Sequence, residues 1–185
     1  MPFRPIVITV ATDPALSPFE RRGEPVAIGV TCPRGTVQRS DGWSLTDQRG
    51  RPVPVQTTAL DHWGDGSVRW LLAEFQADVL PDAPSYYALA PDNAVPPDSA
   101  SIAIEPTDGT LRVKTGAAVF DVPRSGAGFL AAVQVGDSPL VRATTITAEA
   151  ADGSRYLFVS RSLTLERAGA LRLVIRLDGG LLGAA

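Results

Sequence analysis

The chain has 185 residues, 44% of them hydrophobic, and a formal net charge of −3. That is enough apolar mass for one large or two small domains and too much for a disordered chain. Charges of both signs are interspersed without a basic stripe, which excludes a nucleic-acid partner. No apolar run approaches the about 18 residues of a membrane span, and a lone cysteine, Cys32, excludes an internal disulfide and a thiolate metal site.

At the N-terminus Arg4 precedes a short alternating stretch, Ile6 to Ala11, and Asp13-Pro14 follows at once. This is strand-like and has no signal-peptide h-region, so as written the chain reads as cytoplasmic. A second strand carries Val26, Ile28 and Val30. The next run, Val53 to Ala59, is broken by Pro52 and Pro54, which cannot donate to a ladder and mark an edge strand or bulge. From Val68 to Val79 one face carries Leu71, Ala73, Phe75, Ala77 and Val79. The other begins with Trp70 and Leu72 and turns to Glu74, Gln76 and Asp78. The alternation predicts a strand buried on both faces at its Trp70 end and half in water at the other. Tyr86-Tyr87 is read as packing at the end of the first domain, 1–90.

Residues 91–100 read as a linker, with Pro91, Pro96, Pro97, Asp92 and Asp98. A second domain, 101–185, follows as short strands. These are Ser101 to Glu105, Thr110 to Lys114, Ala117 to Val122, Phe129 to Val135, Thr144 to Ala150, Tyr156 to Ser160, Ser162 to Glu166 and Leu171 to Leu177. Turn signals at Asp108-Gly109, Gly126 to Gly128, Gly136-Asp137 and Asp152-Gly153 separate them. No stretch of twelve residues carries a helical stripe, so the chain reads as all-β in two parts. The strong apolar face of Leu171 to Leu177 predicts a partner strand on each side, so the second domain reads as incomplete.

The block Trp63-Gly64-Asp65-Gly66-Ser67-Val68-Arg69-Trp70 spends two of the three tryptophans on one tight turn. Reversing the chain needs only the Asp-Gly, so the block is either a folding signature or a ligand-facing edge. Trp63 and Trp70 can stack on sugar faces, or can cap the core with each indole N–H on a backbone carbonyl. Trp43 reads as the tryptophan most open to solvent, with core or interface as the other reading. His62, the single histidine, sits beside Asp61 and Trp63, where a general base is conceivable, but one histidine builds no catalytic triad and no zinc site. Asp65 either faces a ligand or caps its own turn. Arg69 either pairs with a uronate carboxylate or forms a surface ion pair. The acidic residues stand one per turn, as turn chemistry requires, and do not form a calcium cluster. Trp43, His62, Trp63, Asp65 and Arg69 are therefore the carbohydrate-binding candidates, with no catalytic set, no metal and no cofactor.

The order Gly23-x-Pro25, Gly29-Val30, Pro33-x-Gly35, Asp47, Gly50-x-Pro52-Val53-x-Val55-Gln56 and Trp63-x-Asp65-Gly66-Ser67-Val68-x-Trp70-Leu71-Leu72-x-x-Phe75 resembles the RIFT-barrel domain that opens exo-rhamnogalacturonan-lyase-like (YetA-like) proteins. Residues 101–178 resemble the start of the central β-sandwich of that family. The resemblance implies a small RIFT-type β-barrel followed by a partial antiparallel β-sandwich. It implies a carbohydrate setting, since family members are large polysaccharide lyases that cleave uronic-acid-containing chains by β-elimination, with a helical toroid domain after the β-domains. That chemistry needs a base, a neutraliser for the uronate and an acid for the leaving oxygen. The resemblance locates most of that machinery outside these residues.

The sequence reading is thus the non-catalytic N-terminal portion of a polysaccharide-lyase-like protein. Its partners would be C-terminal domains absent from this chain, or another protein, and a uronic-acid-containing polysaccharide. A stand-alone carbohydrate-binding module and a structural assembly module are the alternatives.

Overall fold

The computed structural model describes residues 4–13, 19–91 and 102–183, and every regular element among them is a β-strand. The chain divides into two compact units, Met1–Ser99 and Ala100–Ala185. Pro91 closes the last strand of the first unit, and the rest of the linker reading lies outside the described residues.

The first unit holds β1 (Ile6–Val10), β2 (Arg21–Thr31), β3 (Trp43–Asp47), β4 (Pro52–Val53), β5 (Val55–His62), β6 (Val68–Val79) and β7 (Ser85–Pro91). They form two antiparallel sheets, β1-β7-β3-β4 and β2-β6-β5. β6 lies between two long partners, and its inward residues Leu71, Ala73, Phe75 and Ala77 meet Ile8, Trp43, Leu45, Tyr87 and Leu89 from the other sheet in one core. Phe75 and Tyr87 touch with ring centroids 5.1 Å apart, and the Tyr87 hydroxyl accepts the N–H of Asp78 at 2.9 Å. Large side chains on both inner faces therefore close the unit by burial.

The second unit holds β8 (Ala103–Pro106), β9 (Thr110–Lys114), β10 (Ala118–Pro123), β11 (Gly126–Ala127), β12 (Ala132–Val135), β13 (Ser138–Val141), β14 (Thr147–Glu149), β15 (Arg155–Ala168) and β16 (Leu173–Gly183). One sheet has the order β13-β12-β10-β9-β8. In the other, β15 pairs with β16 along one edge and with β14 and then β11 along the opposite edge. Leu111, Val113 and Val122 of the first sheet pack with Leu163, Leu173, Ile175 and Leu177 of the second, the arrangement of a sandwich.

Several expectations change. Trp43 is 3% exposed and belongs to the core, as one of its two readings has it, and Trp70 is more open than Trp43. Trp70 is 40% exposed and Glu74 in mid-strand is buried at 3%, against the alternation reading, whereas Gln76 and Asp78 are exposed as it implies. Trp70 alternates with the inward Leu71 and so lies on the outward face, and the register changes beside it. Ala59 faces Leu71, Asp61 faces Trp70 and His62 faces Val68, so β5 and then β6 each hold an extra residue, Leu60 and Arg69. The extra Arg69 lets Val68, three positions before Leu71, point inward as well. Tyr86-Tyr87 lies within β7, with Tyr87 in the core and Tyr86 exposed. The run from Val53 to Ala59 is two strands in different sheets, parted at Pro54, and both are sheet edges as the prolines imply.

In the second unit Tyr156 to Ser160 and Ser162 to Glu166 are one strand, irregular at Arg161 and Glu166. The run from Phe129 shortens to Ala132–Val135, the run from Thr144 shortens to Thr147–Glu149, and Ser138–Val141 is a strand that sequence reasoning passed over. β16 continues through Gly179 and Gly180 and, among the described residues, pairs only with β15. The glycines belong there because a Cβ on Gly179 would lie 2.2 Å from the Val159 carbonyl oxygen and 2.8 Å from Phe158 Cζ. A Cβ on Gly183 would meet nothing within 4 Å.

Gly179→Ala should therefore destabilise the protein by about 1–3 kcal/mol through overpacking. Gly183→Ala should leave stability unchanged or raise it by about 0.5 kcal/mol. Urea denaturation midpoints check both, and equal midpoints for the two variants would contradict the packing described.

Candidate functional site

The β5–β6 hairpin gathers His62, Trp63, Asp65 and Arg69 at one end of the first unit. Its turn is closed by backbone bonds, Gly66 N–H to Trp63 C=O at 2.9 Å and Trp63 N–H to Ser67 C=O at 2.8 Å. Gly66 takes φ +84°, a conformation that favours glycine at this position of the Asp-Gly pair. One oxygen of Asp65 accepts the Ser67 hydroxyl at 2.6 Å and the Ser67 N–H at 3.1 Å, and the other accepts Arg34 Nε at 3.0 Å. The fully buried Ser67 hydroxyl in turn accepts the N–H of Gly35 at 2.9 Å. Asp65 thus caps its own turn and ties it to the Pro33–Thr36 loop. The two Ser67 hydrogen bonds, aided by the Arg34 charge, hold its carboxyl down at about 2.

Arg69 lies over the indole of Trp63, 4.9 Å from the ring centroid, and donates to Asp61 at 3.2 Å. Trp63 is half-buried and its Nε1–H donates to the Cys32 carbonyl at 3.0 Å, the capping geometry for an aromatic with a polar handle. Cys32 is buried, its N–H donates to the Arg69 carbonyl at 2.9 Å, and burial pushes its thiol up, as for an inert thiol. His62 is exposed at the end of β5, where its backbone N–H donates to Asp61 Oδ1 at 2.8 Å. Its imidazole has no carboxylate partner among the described residues.

Trp43 lies apart from this group. It lines an open cleft of about 570 Å³ with Gln38, Arg39, Asp41 and Pro91. Arg39 Nε donates to Asp41 at 2.7 Å, and this pairing lowers the Asp41 carboxyl. Sequence reasoning left out Arg34, which a loop about thirty positions away brings to the hairpin, and it placed Asp61 beside His62 without seeing that it pairs with Arg69. An Arg beside a Pro-Gly turn carries no signal of its distant partner. Among the described residues no three His, Cys, Asp or Glu side chains come together as a metal cluster would require.

Residues 17–83, which include this hairpin, match the family model for the PcRGLX-like N-terminal RIFT barrel domain. The all-β architecture and this match make the first unit a RIFT-type barrel domain. The chain is also similar to a curated protein of Bacillus subtilis (strain 168), "Uncharacterized protein YetA", at 22% identity over 165 residues. That similarity takes in 83% of this chain and 19% of YetA, so the chain spans about a fifth of the relative it matches.

The depressed Asp65 carboxyl has a testable consequence. A group whose folded pKa lies below its unfolded value, about 3.9, stabilises the fold above that value. Its contribution fades as pH falls through about 2. Asp65→Asn should therefore lose stability at neutral pH and show a shallower decline than wild type between about pH 4 and pH 2, read from urea melts at each pH. Ser67→Ala, which strips the turn of the same hydroxyl, should cost about 1–3 kcal/mol at neutral pH. Parallel acid limbs for wild type and Asp65→Asn would sink this assignment.

Proposed function

We propose that this chain is the non-catalytic N-terminal portion of a rhamnogalacturonan-lyase-like protein, a β-scaffold that supports or orients a carbohydrate-processing region. The observation that carries the reading is the state of the hairpin within the matched RIFT segment: its charged groups are spent on one another. Arg69 is held by Asp61 and Trp63, and Asp65 by Ser67 and Arg34. β-Elimination needs a base aimed at a proton, a neutraliser for the uronate and an acid for the leaving oxygen. An arginine already paired and an aspartate already capping a turn are poor candidates for those roles, and the lone histidine has no carboxylate among the described residues to orient it.

The description of the matched domain as N-terminal, and the greater length of YetA, of which the match takes in 19%, fit a portion that works with further polypeptide. The partners in this reading are the domains of that polypeptide and a uronic-acid-containing polysaccharide. A carbohydrate-binding module is the second reading, favoured by the solvent-exposed Trp70 on the same barrel.

Incubated with rhamnogalacturonan, the 185-residue chain should generate no unsaturated uronate absorbance above a protein-free blank. Turnover that disappears in His62→Ala would overturn the non-catalytic reading.

A further inference from the structure

We propose that Trp70 is the platform of a sugar-binding subsite on the outer face of the β2-β6-β5 sheet. The choice of ligand class rests on the carbohydrate reading above; the place of the subsite rests on geometry in the first unit.

A single exposed aromatic residue is ordinary on a protein surface. Trp70 differs in what lies around it. The extra residues Leu60 and Arg69 shift the β5–β6 register on both sides of the Asp61–Trp70 pair. Trp70 alternates with the inward Leu71 and so stands on the outer face, and the irregularities set Asp61 opposite it. Beneath it the neighbouring strand offers no side chain. A Cβ on Gly29 would lie 3.6 Å from Trp70 Cζ3 and 3.7 Å from Cε3, so the six-membered part of the indole occupies the space over Gly29. The sheet backs one side of the ring, and 40% of the residue remains open to water.

The flanking groups suit a sugar. Thr31 of β2 and Asp61 of β5 are the register partners of Trp70, and residues directly opposed in a sheet share a face. The row Thr31, Trp70, Asp61 therefore puts a hydroxyl and a carboxylate on either side of the indole, across about 10 Å at ordinary strand spacing. Arg69 holds the carboxylate in place through its 3.2 Å contact. A pyranose ring has the matching form, with C–H groups on its face and hydroxyls at its edge. The C–H face would lie on the indole, and the hydroxyls would reach Asp61 as acceptor and Thr31 as donor or acceptor. A protein partner would call for a broader apolar patch than one ring set between polar neighbours.

The test is titration of the whole chain with a rhamnogalacturonan oligosaccharide, followed by tryptophan fluorescence and calorimetry. Wild type should bind, Trp70→Ala should bind about tenfold or more weakly, and Trp70→Tyr, which keeps an aromatic face, should recover part of the loss. Thermal melts of the three proteins should coincide within a few degrees, since the indole lies on the outer face and outside the buried core, and Trp70→Tyr keeps the test valid if the alanine variant fails to fold. Equal binding by wild type and Trp70→Ala would overturn the proposal, as would absence of binding by wild type at millimolar oligosaccharide. Neither result touches the non-catalytic reading, which only turnover by the chain contradicts.

Discussion

Asp61 faces Trp70 and His62 faces Val68, so Arg69 stands between two paired positions without a partner of its own across the β5–β6 ladder. Val68 points into the core, where it is fully buried, and its N–H donates to the Val37 carbonyl at 2.8 Å. Strict alternation cannot bury Val68 and Leu71 together, because they are three positions apart and would face opposite sides. The additional residue resolves that conflict. It seats Val68 inside beside Leu71 and leaves Arg69 over Trp63, while Trp70 keeps the outer face that alternation with Leu71 gives it. The core at this end of the barrel and the placing of Arg69 both depend on one irregularity.

The hairpin itself is held by hydrogen bonds in which each group has a defined role. Asp65 answers Ser67 and Arg34, Ser67 answers Gly35, and Trp63 answers Cys32. These contacts join the turn to the loop after β2, so two segments distant in sequence set one rigid corner. Rigidity is what a supporting scaffold requires and also what a stacking platform requires, because a ring fixed before binding loses little freedom when a ligand arrives.

The second unit is built differently. Its buried apolar side chains among the described residues are Leu111, Val113, Val122 and Val133, while Leu173, Ile175 and Leu177 of β16 are only half-buried. An apolar groove of about 380 Å³, lined by Val113, Phe120, Leu130, Leu173 and Ile175, runs between its sheets. Its pairing is nonetheless specific. Arg112 and Asp121 stand opposite one another across β9 and β10 in a two-pronged contact of 2.8 and 3.0 Å, a cross-strand pair that helps fix the register.

Period-two alternation, Asp-Gly turns and the absence of helical stripes determined the all-β class, the span Val68–Val79 and the self-capping turn of Asp65, because each is a local property of neighbouring residues. Proline chemistry likewise marked the edges at Pro52 and Pro54 from sequence alone. Burial of Trp43, exposure of Trp70, strand continuity through Gly179 and the partnership of Arg34 with Asp65 were settled only in three dimensions. Each depends on a register shift or on a neighbour brought from far along the chain, and a one-residue slip changes the face of every side chain after it without leaving a mark in composition or spacing.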